Sequence, residues 1–481
     1  MDAETMLADL QNVRVKQFKD QKKKVEDVLN PWFHGTPPTV DLPRAAGPDH
    51  IKIAQMSRDP WLRHGINTIA QGLKVERFSQ LDGSAHPVWN VWNESQMGLK
   101  ERVLYETTLA FGHAYEVAEL SDSSPSGYTI SVYSPSQMIT WYSDPINDTK
   151  PALALRFEKG IFGEEYYHRY DDEQIITYVK NEEGWKVYDV QPHGFDEIPV
   201  QRFINVLNPL SGTPVGEIEP NINAAKRINK STYDLMLTQH FNSWKVRVIS
   251  GLDPAEDEYQ LDAEGRVMKD PVTNQPIILR TAQQIERDRL VPLKQGDFLA
   301  LQASEDRNGN AVIPSVSTLP ETSLDGFIRA KDQSVKALAA LMQASSPALL
   351  GDLSNLSAES LIVAETEQRR KIEARQASWG SSHERILRLI ARAMNVEITG
   401  KERITWRTVD HASISAVVDA LVKLKTIGIP DEALWAMVPN SHPEDLDNWK
   451  RMREDGDLQG QIIRAQLNSE TSNGGIVDTG E

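Results

Sequence analysis

The chain has 481 residues, 40% of them hydrophobic, no cysteine and a formal net charge of −17, which leaves room for about two to four domains with apolar cores. The lack of cysteine excludes disulfide scaffolds, thiolate metal sites and cysteine nucleophiles, and fits a reducing compartment. The acidic balance argues against wrapping DNA tightly, which needs cations set against phosphates, but not against letting DNA pass, because an acidic wall repels phosphate.

Residues 3–30 predict a helix whose basic stretch, Lys22-Lys-Lys24, reads as a solvated face, and Pro31 is expected to stop it. The opening Met1-Asp-Ala-Glu-Thr-Met6 has no basic segment followed by an apolar core, so a signal peptide is not expected. No apolar run in the chain is long enough to suggest a membrane span. Residues 35–48 are rich in proline and glycine and predict an extended arm. Helices are expected over 51–72 and 95–111, the second ending at Gly112, and His113-Ala-Tyr-Glu-Val-Ala-Glu-Leu120 alternates as a strand does. Between 128 and 206 the short runs 128–133, 152–158, 166–170, 175–180, 185–190 and 198–203 are β-branched and aromatic. With turns at 160–163 and Asn181-Glu-Glu-Gly184, they predict one meander. Such an order disfavours a doubly wound nucleotide-binding fold.

Residues 217–244 predict a rod of roughly 42 Å. Pro220 lies in its first turn, where a missing N–H costs little. Ile222, Ala225, Ile228, Leu235 and Phe241 fall at mixed helical spacings that suit contacts on two sides. Residues 245–319 hold Val246-Arg-Val-Ile249 and Pro276-Ile-Ile-Leu279 among acidic turns and predict a small inserted domain.

The most informative stretch, 321–395, reads helix, break, longer helix. The helix over 321–342 holds Arg329, Lys331 and Lys336 among alanines and leucines. The break, Gln343-Ala-Ser-Ser-Pro-Ala-Leu-Leu-Gly-Asp-Leu-Ser-Asn-Leu356, contains Pro347 and Gly351, which oppose a helix. It also carries Leu349, Leu350, Leu353 and Leu356, so it reads as an apolar, moving loop rather than a solvated linker. The helix over 357–395 is expected to start at the cap Ser357, with Glu359 in its first turn, and to kink at Gly380-Ser-Ser382. Leu361, Ala364, Ile372, Trp379, Ile386, Ile390 and Met394 form its apolar stripe, and its Arg- and Glu-rich face suits a helix crossing between subunits. A short strand over 403–407, short helices over 412–453 separated by Gly428, Pro430 and Pro443, and a polar tail from about 456 complete the chain.

Motifs for chemistry are missing. No P-loop and no nucleophile elbow occur. His383-Glu384 begins a zinc-protease motif, but the second histidine position is Leu387. Residues 253–262 lack the alternation and glycine of a calcium loop, the histidines show no ligand spacing, and Asp171-Asp172-Glu173 reads as a solvated turn. No residue supports an enzyme, and no cofactor or metal is expected.

The order of parts resembles the portal proteins of tailed bacteriophages, in the siphophage and actinobacteriophage branch. Ile198-Pro-Val-Gln-Arg-Phe-Ile-Asn205 followed by Gly212-Thr-Pro-Val-Gly-Glu-Ile218 resembles the family's approach to its first stem helix, and Asn223, Asn229 and Asp234 match polar positions of that helix. Ser354-Asn-Leu-Ser-Ala-Glu-Ser-Leu361 resembles the start of its long helix, and Val418-Asp-Ala-Leu-Val-Lys-Leu-Lys-Thr-Ile-Gly-Ile-Pro430 its C-terminal helix and turn.

The resemblance implies an α+β portal fold and a ring, usually of twelve subunits. Residues 1–216 and 357–399 would form the wing, 217–244 and 320–342 the stem, 245–319 a small α/β clip, 343–356 the tunnel loop, 400–455 a helical crown and 456–481 a flexible tail. It implies a channel for packaging and ejecting double-stranded DNA at a capsid vertex of the virion, after assembly in the host cytoplasm. The implied partners are the large terminase, the head–tail connector, and the major capsid and scaffolding proteins, with no membrane and no catalysis. Ser345, Ser346, Pro347, Ala348, Leu349, Leu350, Gly351, Asp352 and Leu353 would form the constriction. That loop carries no Lys or Arg, so Lys331 and Lys336 are the candidate channel-lining cations. As a tunnel loop it is expected to stand off the main packing, so that a Gly-Ser linker in place of 348–353 would leave the ring assembled. The alternatives are a head–tail adaptor, usually a shorter protein, and a DNA-packaging enzyme.

Overall fold

A computed structural model describes residues 13–44, 46–80, 84–181, 184–242, 247–250, 256–289, 304–305, 311–312, 315–318, 322–351, 358–407, 414–435, 438 and 448–453. Residues 3–12 of the expected first helix, Asp352, Leu353, Leu356, the Ser357 cap, Pro443 and the tail from 456 lie outside the described residues. The chain divides into two compact units, Met1–Ser231 with Ala330–Glu481, and Thr232–Arg329.

The first unit opens with helix α1 (Val15–Lys23), a π-helical stretch (Lys24–Leu29) and α2 (Asn30–His34). The helix therefore does not stop at Pro31. The Asn30 amide bonds to the Val25 carbonyl, five residues back. This wider turn moves the carbonyls that the proline ring would otherwise meet. Val15, Phe18, Val25, Leu29 and Trp32 form the buried face. Of the basic stretch, Lys24 pairs with Glu219 at 2.7 Å.

The helix expected over 51–72 is two helices, α3 (Pro48–Met56) and α4 (Trp61–Ala70). Pro60 separates them, because it lacks an N–H and forces its predecessor out of the helical region. Strand β1 (Val75–Ser79), α5 (Trp89–Glu94) and α6 (Met97–Phe111) follow, and α6 ends at Gly112 as its sequence predicts.

Strands β2 (His113–Leu120), β3 (Tyr128–Tyr133), β4 (Met138–Trp141), β5 (Leu153–Lys159), β6 (Glu165–Tyr170), β7 (Gln174–Asn181), β8 (Gly184–Pro192) and β9 (Val200–Ile204) make two sheets rather than one meander. β4 to β8 pair in chain order as a five-stranded antiparallel meander. β9 leaves that order and pairs with β2, placing β2 centrally in the sheet β3-β2-β9. The physical reason is burial. Residues 113–118 of β2 are buried on both faces, so both edges of the strand need hydrogen-bond partners.

The two-residue strands β10 (Val206–Leu207) and β11 (Pro214–Val215) pair with each other, and helix α7 (Ile218–Asn242) leads into the second unit, whose described strands pair two at a time. β12 (Arg247–Ser250) pairs with β17 (Ser315–Thr318), β13 (Glu258–Tyr259) with β14 (Ile278–Arg280), and β15 (Ser304–Glu305) with β16 (Ala311–Val312). Helix α8 (Ala282–Arg289) lies among them in sequence. Helix α9 (Asp325–Met342) returns to the first unit, followed by the short α10 (Ser346–Leu350) and by α11 (Ala358–Ala393). Strand β18 (Arg403–Trp406) pairs with β1, and α12 (Ile414–Thr426) and α13 (Asp431–Trp435) follow.

Helix α11 is about 54 Å long and runs unbroken through Gly380-Ser-Ser382, so no helix break occurs there. Gly380 is explained by a close neighbour instead. A Cβ at this position would stand 3.1 Å from the Trp406 indole nitrogen. The apolar stripe of α11 is spent within the chain over its C-terminal half. Ile372, Trp379, Ile386, Leu387, Leu389 and Ile390 are buried in the chain's own core.

That core contains a chain of polar groups. The His383 Nδ1 lies 2.8 Å from the Glu116 carboxylate and its Nε2 2.7 Å from the Tyr105 hydroxyl. The ring packs against Trp92 and Phe203. One turn before Tyr105, buried Glu101 accepts the Val75 N–H at 3.0 Å. Burial pushes the Glu101 carboxyl up to about 7 from its ordinary 4.5. The folded chain thus holds a proton that the unfolded chain releases above pH 4.5. Stability from this proton is complete below 4.5 and is lost as pH rises through about 7. Burial holds His113 down to about 3 and His168 to about 4, which acts with the opposite sign below their ordinary 6.5, so the comparison must be between variants. Glu101→Gln should gain on the wild type as pH rises from 4.5 to 8, by about 3 kcal/mol at most. Urea titrations at four pH values measure this, and a constant difference between the two proteins would contradict it.

Candidate functional site at the helical junction

Where α9 ends, α7 begins and α11 passes, two helix termini, the face of a third helix and a loop share one buried polar cluster. The last carbonyls of a helix have no partner within it. Here the Met342 carbonyl accepts from the Lys371 ammonium at 2.8 Å. Lys371 is 7% exposed, and its Nζ also lies 2.8 Å from Glu217, at the start of α7. Burial lowers the Lys371 pKa and Glu217 opposes that shift. Asn205 donates to Glu217 at 3.0 Å and accepts from Arg375 at 2.9 Å. Gln368 accepts the Ser345 N–H at 2.9 Å and donates to the Thr68 carbonyl at 3.0 Å, and Trp379 donates to the Ile204 carbonyl at 2.8 Å. Gln368, Lys371, Arg375 and Trp379 recur at helical spacing and so share one face of α11.

The start of α7 is fixed by main chain as well. The Glu217 N–H donates to Leu109 at 2.7 Å and the Asn205 N–H to Gly112 at 2.8 Å. A Cβ on Gly216 would run into the Ala110 carbonyl, and Gly112 has φ +98° with the Gly216 nitrogen close by. The two backbones can cross this closely only as glycines.

The sequence-derived site residues divide across this junction. Ser345 is buried and precedes α10, with Ser346 and Pro347 half-buried in its first turn. Leu349 is 4% exposed and belongs to the main core, Leu350 packs against that core, and Gly351 is exposed. Ala348 lies within α10, while Asp352 and Leu353 lie outside the described residues. The expectation that this loop stands off the packing is overturned at Ala344, Ser345, Leu349 and Leu350. Pro347 is tolerated in the first turn of a short helix, and that helix packs against α4 and α11 with Leu349 in the main core. Lys331 is half-buried, its Nζ 6.0 Å from the centre of the Trp61 ring, and Lys336 is exposed.

Sequence reasoning missed Gln368, Lys371 and Arg375. The available signal was a polar row within the turns that also carry Ile372 and Trp379. The cluster presents no nucleophile beside a base, and among the described residues no group of His, Asp and Glu is arranged to hold a metal. Its chemistry is mechanical, since it fixes helix ends to one another.

Leu349→Ala should cost about 2–5 kcal/mol of folding stability, as for a buried leucine. A loss below about 0.5 kcal/mol in urea unfolding would show that the loop is free. Lys371→Met should cost about 3–5 kcal/mol by leaving Glu217 buried without its cation. Adding Glu217→Gln should recover part of that loss, and additive losses in the double variant would contradict the pairing.

Comparison with known proteins yields three findings. The family model described as phage portal protein, SPP1 Gp6-like, matches residues 71–457. The portal protein of Mycobacterium phage D29 is 24% identical over 384 residues, covering 75% of this chain and 70% of that protein. Among solved structures, a chain from the virion of a native gene transfer agent particle is 12% identical with a TM-score of 0.43, covering 84% of this chain and 96% of that one. A chain from the neck of a native gene transfer agent particle is also 12% identical, with a TM-score of 0.42, covering 83% and 95%.

Proposed function

This chain belongs to the SPP1 Gp6-like family of phage portal proteins, and we propose that it assembles into a ring, usually of twelve subunits in such proteins, through which double-stranded DNA is packaged and ejected. It is a structural protein of the virion, at a capsid vertex, and not an enzyme. The single observation that carries the reading is the family match over 71–457, which spans Asn205, Glu217, Met342, Gln368, Lys371, Arg375 and Trp379 of the junction.

In this reading residues 1–216 and 357–399 form the wing, 217–244 and 320–342 the stem, 245–319 the clip, 343–356 the tunnel loop, 400–455 the crown and 456–481 the tail. The large terminase and then the head–tail connector dock on the clip, and capsid and scaffolding proteins surround the ring. Exposed apolar side chains support assembly. Phe241 of α7 is 53% exposed, and Ile328 and Leu341 of α9 are 44% and 60% exposed. Leu261, Val272 and Leu279 of the inserted unit are also exposed, on or near strands that pair only two at a time among the described residues. Two-stranded ribbons are marginal alone, and apolar surface gathered on them favours a partner.

Lys336 and the end of the loop near Gly351 are the parts left to face a channel, because Leu349 is committed to the core and Lys331 lies over Trp61. The purified protein should scatter light as a particle of about a dozen protomers and turn over no ATP. A folded monomer at micromolar concentration refutes the ring. Lys336→Glu, on an exposed side chain, should leave thermal stability unchanged and reduce the DNA content of particles. Full, infectious particles from that variant would remove Lys336 from the channel.

A further inference from the structure

Two surfaces of the first unit complement each other and lie apart in the same copy. One is the tip of the β5–β6 hairpin, Gly160-Ile-Phe-Gly163, where Ile161 is 98% and Phe162 91% exposed. Two large apolar side chains held this far into water at a tight turn gain from burial in a partner. Of the carboxylates beside the tip, Glu158 pairs with Arg156 and Glu165 with Lys19 and Lys180, which leaves Glu164 at the turn itself. Glu164 makes no ion pair among the described residues.

The other is a cleft of about 520 Å³ between the 142–150 loop, β9 and α11. Tyr142, Ile146 and Leu207 supply apolar wall. In a chain of net charge −17, this cleft carries an excess of cations. Lys150, Arg385 and Arg392 converge on Glu197, and Arg392 also pairs with Asp196 at 2.9 Å. Arg202 is the exception. It is 7% exposed, its guanidinium stacks 4.1 Å from the Tyr142 ring centre, and no carboxylate pairs with it among the described residues. Among the described residues its guanidinium donates to the Pro145 carbonyl at a long 3.4 Å, and its Nε has no acceptor. A buried guanidinium without an anion is costly, and a planar carboxylate suits it best.

The tip follows β5 and the 142–150 loop precedes it, so the two surfaces flank opposite ends of one strand, about 23 Å apart. A tip cannot fold back onto its own cleft. We propose that the hairpin tip of one copy seats in the arginine cleft of the next, with Ile161 and Phe162 against Tyr142, Ile146 and Leu207, and the Glu164 carboxylate on Arg202. Such a contact is head-to-tail, and a head-to-tail contact that closes makes a ring. The inference rests on the ring reading above and names a contact that holds it.

Because the chain has no cysteine, Phe162→Cys with Ile146→Cys in one chain gives a unique cross-linking pair on exposed positions. Mild oxidation should convert the assembled double variant into a covalent ladder reaching the ring, and neither single variant should go beyond dimers. Independently, Glu164→Arg should lower the assembled fraction at least tenfold. A monomeric wild type overturns the ring and this contact together. An assembled double variant that yields no ladder, or an assembled Glu164→Arg protein of unchanged mass, overturns the contact and leaves the ring standing.

Discussion

A lysine ammonium withdrawn from water must be answered by oxygens, and the oxygens that answer Lys371 come from distant parts of the chain. The Met342 carbonyl ends α9 and Glu217 opens α7. Asn205, at the end of β9, then ties Glu217 to Arg375. Removing either charge leaves the other stranded at low dielectric, so the requirement is mutual. A buried ion pair is weak evidence of net stabilisation, but it is selective about geometry. Here that selectivity falls on the directions in which two long helices leave the core.

The second buried polar chain, Tyr105–His383–Glu116, does related work further along α11. It joins α6, β2 and the long helix where Trp379 stacks on Tyr105 with ring centres 5.2 Å apart. Apolar packing alone would tolerate a helix that slides or rotates by a fraction of a turn. Hydrogen bonds between fully buried groups do not, because a displaced partner leaves a polar atom unsatisfied.

Much of this architecture was legible locally. The meander strands, the Gly112 stop, the α7 start near Pro220 and the helix–break–helix of 321–395 follow from periodicity and turn residues that act within a few positions. What was illegible depended on distant partners. β18 is readable as a short strand over 403–407, but its partner β1 and their pairing across most of the chain are not. β9 reads like one more meander strand, and only the two-sided burial of β2 draws it away. Pro31 and Gly380 are breakers by composition, yet a π-helical turn carries the helix past one and the Trp406 indole explains the other. Leu349 lies in a segment full of turn residues, and nothing local states that its helix packs against α4 and α11. The family's outline was therefore readable from the order of parts, whereas the junction residues Gln368, Lys371 and Arg375 were not.

The crossing of Gly112 and Gly216 has a consequence for how such a protein can change over generations. A joint made of main chain alone is indifferent to the identity of the side chains around it. Substitutions can accumulate along α6 and β9, and even replace whole surface patches, without moving the point from which α7 departs. The two glycines have no substitute, because any side chain on Gly216 meets a carbonyl. The exterior can thus be rewritten while the bearing of α7 is inherited unchanged.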